Sequence, residues 1–180
     1  GYNCRAIEQS KEMVDAARST LQERHVGEPS WVIQGQAQCL PFTDASFDTV
    51  VSTFPNEYIY DPNTISSVER VLRPGGRLIV IVVANLLPVN PIQSFLLLIQ
   101  MFVYGPAVSF GKDLYENRDR CTGITTVVVP DAEFGKRIPL EHYGLNRRCE
   151  IVRSRQWEVY IVIGEKSDSS NLLNRSNNVR

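Results

Sequence analysis

Residues Leu40 to Val83, LPFTDASFDTVVSTFPNEYIYDPNTISSVERVLRPGGRLIVIVV, decide what kind of fold the rest of the chain must join. Asp48 to Phe54, with Val50 and Val51 beside Phe54, is too densely apolar for a sheet with one wet face, which predicts an interior strand. Asp61-Pro62-Asn63 offers a turn and an N-cap. Ile65, Val68, Val71 and Leu72 then recur at helical spacing up to Arg73, and Pro74-Gly75-Gly76 stops the helix. Arg77 to Val83 is an almost unbroken run of aliphatic, mostly β-branched residues, the composition of a strand covered on both faces. Two buried strands joined through a helix make a βαβ unit with a right-handed crossover.

Upstream of this unit, Gly1 to Glu8 reads as a turn and a short strand that finishes on a carboxylate. Ser10 is placed to cap a surface helix running to Arg24, with Glu12 in its first turn and Met13, Ala17 and Leu21 one turn apart. Gly27 to Ser30 breaks that helix, and Trp31 to Gln34 makes another short strand, ending at Gly35-Gln36-Ala37. The alternation of strands and helices predicts an α/β fold with an open, mostly parallel sheet. Ligands of such sheets bind at the carboxyl ends of strands, here Glu8-Gln9, Gly35-Gln36-Ala37 and Thr53-Phe54-Pro55.

The 180 residues, 43% hydrophobic and 22% charged with a formal net charge of -1, describe one ordinary soluble domain. Near-neutral charge argues against nucleic acid as a partner held by electrostatics. Arg147, Arg148, Arg153 and Arg155 alternate with Glu150, Ile151 and Val152, the pattern of a solvated strand face. Cys4, Cys39, Cys121 and Cys149 are spread without a C-x-x-C pair and accompany only His25 and His142, so neither a metal site nor a disulfide framework is expected. The start shows no signal peptide, and the expected compartment is the cytoplasm.

Three stretches together, AIEQSKEMVDAAR, GQAQCLPFTDASFDTVV and SVERVLRPGGRLIVIVV, resemble the class I S-adenosylmethionine-dependent methyltransferases over about half of the chain. The resemblance implies that Glu8, with Gln9, lies where the family holds the cofactor's ribose. It puts Gln36 and Ala37 where an acidic residue usually recognises the adenine, and Thr53 and Phe54 where the methionine part meets the substrate. It also implies a glycine-rich loop before Glu8, but no G-x-G occurs, and too few residues precede Glu8 for the strand and helix that need roughly 30. The expected fold is therefore a class I methyltransferase sheet with the first βα unit absent. The expectation is that the chain either closes the gap by pairing the Arg5–Glu8 strand with Asp48–Phe54, or is unstable without a partner.

The expected methyltransferase-like domain spans 1–165, with 86–148 as an insertion on the substrate side and 166–180 as a Ser/Asn-rich disordered tail. Ile92 to Tyr104 is apolar nearly all round but too short for a bilayer core, which needs about 20 residues; it reads first as a lid, then as core, and last as membrane contact. Lys112 to Gly123 reads as a loop, Thr125 to Val129 as a strand and Pro139 to Gly144 as a short helix. Cys149 to Arg153 and Trp157 to Glu165 make a closing antiparallel hairpin.

The implied activity is methyl transfer to a small, hydrophobic acceptor, with a non-catalytic binding module as the alternative. An acid ending the second strand also suits a nucleotide-binding dehydrogenase, but the RVLRPGG run and the terminal hairpin speak against one. Glu57, Tyr58, Tyr115 and His142 are polar near the expected loops without standing out as a base. Phe42, Phe47 and Phe54 read as core.

Overall fold

The computed structural model describes residues 2–53, 57–86, 117–118, 124–129, 132–154 and 157–168. In chain order these form β1 (Ala6–Glu8), α1 (Lys11–Arg24), β2 (Val32–Gln34), β3 (Phe47–Thr53), α2 (Pro62–Val71), β4 (Leu72–Leu86), β5 (Asn117–Arg118), β6 (Thr125–Val128), α3 (Glu133–Lys136), β7 (Leu145–Arg153) and β8 (Trp157–Lys166). The architecture is α/β, with two sheets: β1 pairs with β2, and six strands follow the order β3-β4-β8-β7-β6-β5. β1–β2 and β3–β4 are parallel, while β4–β8 and the closing hairpin β7–β8 are antiparallel.

One expectation about the sheet is corrected: among the described residues β3 is an edge strand rather than an interior one, and Val51 is 56% exposed although its composition suits burial. Of the two alternatives for the gap, pairing of β1 with β3 is not seen; β1 pairs with β2. Apolar density reports how much water a strand could exclude, but a second neighbour has to be supplied by topology.

The core lies between α2 and the inner strands. Ile65, Val68 and Val71 on α2 pack with Leu72, Leu78 and Val80 of β4, Val162 of β8, and Leu140 and Leu145. Phe42 and Phe47 pack against the same cluster, their rings edge to face at 4.9 Å, in keeping with their reading as core. On α1 the buried residue is Val14, whereas Met13 is 60% exposed, so the face turned inward is rotated from the Met13-Ala17-Leu21 stripe. Arg18, one turn on from Val14, donates from Nη2 to the Val32 carbonyl at 2.8 Å and ties α1 to β2.

Asp61 caps α2, its side chain accepting from the Asn63 amide at 2.9 Å, with Pro62 in the first turn. The helix ends at Val71, two residues before the expected stop. Pairing then jumps from Phe47 opposite Leu72 to Thr49 opposite Arg77, so Arg73 to Gly76 loops out of the ladder. Gly75 adopts φ +75, and a Cβ on Gly76 would sit 2.8 Å from the Arg73 carbonyl oxygen, so this turn requires both glycines.

The two arginines of the ERVLRPGG run explain why it accompanies LPFTDASFD. Arg70 donates from Nη2 to the Leu40 carbonyl at 2.7 Å, and from Nη1 to the Phe42 carbonyl at 2.7 Å and to Asp44 at 2.8 Å. Arg73 donates to the Ala45 carbonyl at 3.2 Å and to Asp48 at 2.8 Å. Buried Ser67 adds a third tie, its hydroxyl accepting from the Leu40 amide at 3.0 Å. The two sequence signatures are one structural unit, a loop stapled to a helix.

The C-terminal half is longer than expected. β7 starts at Leu145, and β8 runs through Lys166, a residue expected in the tail; its ammonium donates to the Glu69 and Leu72 carbonyls at 2.7 and 3.0 Å. The short helix expected near Gly144 is a 3-10 turn at Glu141–Tyr143, and α3 precedes it. β5 lies in a stretch read as loop, and β6 extends the large sheet beside β7. Ile92 to Tyr104 and 169–180 lie outside the described residues.

Candidate functional site

A cavity of about 430 Å³ runs along the free margins of β1 and β3. Strand ends set its rim because α1 and α2 each leave the carboxyl end of a parallel strand and cross back beside it. Glu8 and Gln9 reach it from the end of β1, Ala37 from the turn after β2, and Thr53 from the end of β3. Four of the residues anticipated from sequence therefore share one cavity.

Glu8 is exposed, and its Oε1 accepts from the Ser10 amide at 2.9 Å, just ahead of α1. That bond holds the carboxylate at the strand end, while its other oxygen is left to accept from a ligand hydroxyl. Gly35 donates its amide to the Glu8 carbonyl at 3.0 Å, and a Cβ there would lie 2.9 Å from Ile7 Cδ1, so a side chain at this position would require Ile7 to shift. Gln36 is exposed and opens the 3-10 turn at Ala37–Cys39, its carbonyl accepting from the Cys39 amide at 3.1 Å. Gln36 does not line the cavity, whereas Ala37 and Gln38 do. Phe54 lies outside the described residues.

Deeper in, the walls are Leu40, Val50, Ile59, Val68 and Leu78, with the hydroxyls of Ser52, Tyr58 and Thr64 among them. Ser52 and Tyr58 are joined at 3.2 Å. Thr64 is 1% exposed, and its hydroxyl has no hydrogen-bond partner among the described residues. Neither Thr64 nor Gln38 was legible from sequence as a lining residue, since each is an unremarked polar residue beside a cap or a turn.

Of the polar residues weighed as bases, Tyr58 lines the cavity, whereas Glu57 and His142 do not. Tyr115 lies outside the described residues. A separate titratable cluster sits in the closing hairpin. Buried Glu158 accepts from Tyr160 at 2.6 Å and pairs with Arg153; burial first, and then this carboxylate, push the Tyr160 phenol well above its usual range. Among the described residues no cluster of ligating side chains could hold a metal, Cys4, Cys39 and Cys149 are free thiols, and no helix is long and apolar enough to cross a membrane.

Taken together, a parallel βαβ unit with a ligand-sized cavity at its strand ends and a closing antiparallel hairpin are those of the class I methyltransferase fold. A structure of similar fold is the PH0226 protein from Pyrococcus horikoshii OT3, with a TM-score of 0.52 and 16% identity over 92% of this chain and 74% of that one. Residues 1–80 match the family model described as "Methyltransferase domain", so this part of the chain is similar to that family.

Among curated relatives, the Ubiquinone/menaquinone biosynthesis C-methyltransferase UbiE of Hahella chejuensis is 37% identical over 83 residues, 46% of this chain and 32% of that protein. The uncharacterized methyltransferase YcgJ of Bacillus subtilis is 34% identical over 79 residues, 43% of this chain and 31% of that protein. The matched stretch thus spans about a third of each of these relatives.

The cavity fits the cofactor in part. The Glu8 carboxylate is of the chemistry that accepts from ribose hydroxyls, and the Ala37–Gln38 turn carries polar groups of the kind a base can meet. Glu8 is the one charged side chain among the described lining residues, so a zwitterionic amino-acid end finds no cationic partner there.

Proposed function

We propose that this chain forms part of an S-adenosylmethionine-dependent methyltransferase acting on a small, hydrophobic acceptor. The observation that carries this reading is the convergence of Glu8, Gln9, Ala37 and Thr53 on one cavity at the strand ends of a matched methyltransferase domain. In this reading Glu8 and Gln9 hold the ribose, Gln36 to Gln38 border the adenine, and Thr53 and Phe54 border the reacting end. When bound, the cofactor supplies the electrophilic methyl group. The chain's residues align it with the acceptor and exclude water, and such alignment can supply much of the acceleration without a dedicated base. The acceptor's apolar character is supported by the aliphatic inner walls of the cavity and by the apolar composition of the Ile92–Tyr104 segment.

A second reading, a methyltransferase-like binding module without catalysis, is supported by the described cavity lining offering no cationic partner for the cofactor's amino-acid end. Equilibrium dialysis with labelled S-adenosylmethionine separates the two, using the chain alone and the chain extended by an N-terminal strand and glycine loop. Binding by either form, with loss of at least about 10-fold in Glu8→Ala, supports the enzyme; a hydroxyl pair held by a carboxylate is worth roughly 1.5–3 kcal/mol. No binding by either form leaves the module.

A further inference from the structure

We draw no further inference here: the strongest candidate, the buried Glu158 carboxylate near the start of β8 with Tyr160 and Arg153 around it, carries none, because its two oxygens are already engaged by the Tyr160 hydroxyl and the Arg153 guanidinium and nothing among the described residues shows what covers it.

Discussion

β3 and β4 are alike in sequence and unlike in the fold. Both are valine-rich and run parallel to each other, yet Leu78 and Val80 on β4 are 0% exposed while Val51 on β3 is 56% exposed. β4 has β3 on one side and β8 on the other, whereas among the described strands β3 pairs only with β4 and β1 only with β2. A strand's composition therefore records the burial it is suited to, and its neighbours decide the burial it receives. The cavity lies along the margins of β1 and β3 that have no described neighbour.

The sharpest test of that contrast is a pair of truncations followed by urea unfolding. Leu78→Ala should lower stability by about 2–5 kcal/mol, because a fully buried side chain leaves a cavity, and Val51→Ala by less than about 0.5 kcal/mol. An equal loss at both positions would break the comparison, since something must then cover β3 in solution. Amide exchange gives the same answer residue by residue: protection should be continuous along β8 and incomplete along Val50 to Thr53.

Next in size is Ser67→Ala. It leaves the buried Leu40 amide without its acceptor and should cost about 1–3 kcal/mol, while Ser66→Ala on the exposed side of α2 should change little. Arg70→Lys should cost about 1 kcal/mol. The ammonium keeps the charge but loses the fork that spans the Leu40 and Phe42 carbonyls, and the site is partly exposed. These two variants ask whether the stapled loop, and not the strand margin, holds the two sheets together.

The legible parts were those whose signal is local. The Asp61 cap, the Pro-Gly-Gly turn, the parallel βαβ pairing and the closing hairpin follow from residue types at short range, and the structure shows each of them. What sequence did not yield depends on partners distant in the chain. Val50 and Val51 suggested an interior strand because their composition is silent about a missing neighbour. α2 ends at Val71 because Leu72 pairs with Phe47, a contact no helical period reveals. β5 is two residues of a polar stretch, Asn117–Arg118, recruited by Thr125 and Thr126 across the strand gap. In the site, Glu8 was legible because an acid ending a strand is distinctive, while Thr64 matters only through what surrounds its hydroxyl.

The smallest expected effect concerns pH, and it belongs to the closed side of the comparison. Cys149 on β7 is 1% exposed, and burial raises its thiol above the ordinary value, with Arg147 opposing; Tyr160 on β8 is raised by burial and by Glu158. A group whose folded pKa is raised keeps its proton after the unfolded chain has released it. Its contribution is therefore complete below the unfolded value and lost as pH rises toward the folded one. With unfolded values of roughly 8.5 for cysteine and 10 for tyrosine, stability should begin to decline above about pH 8.5 and fall more steeply above about pH 10. Cys149→Ala should remove the first part of that slope and leave the second, as read from urea midpoints across pH 7 to 11. A slope unchanged in Cys149→Ala would place the alkaline sensitivity outside β7 and detach it from the burial that distinguishes the closed side from the open margin.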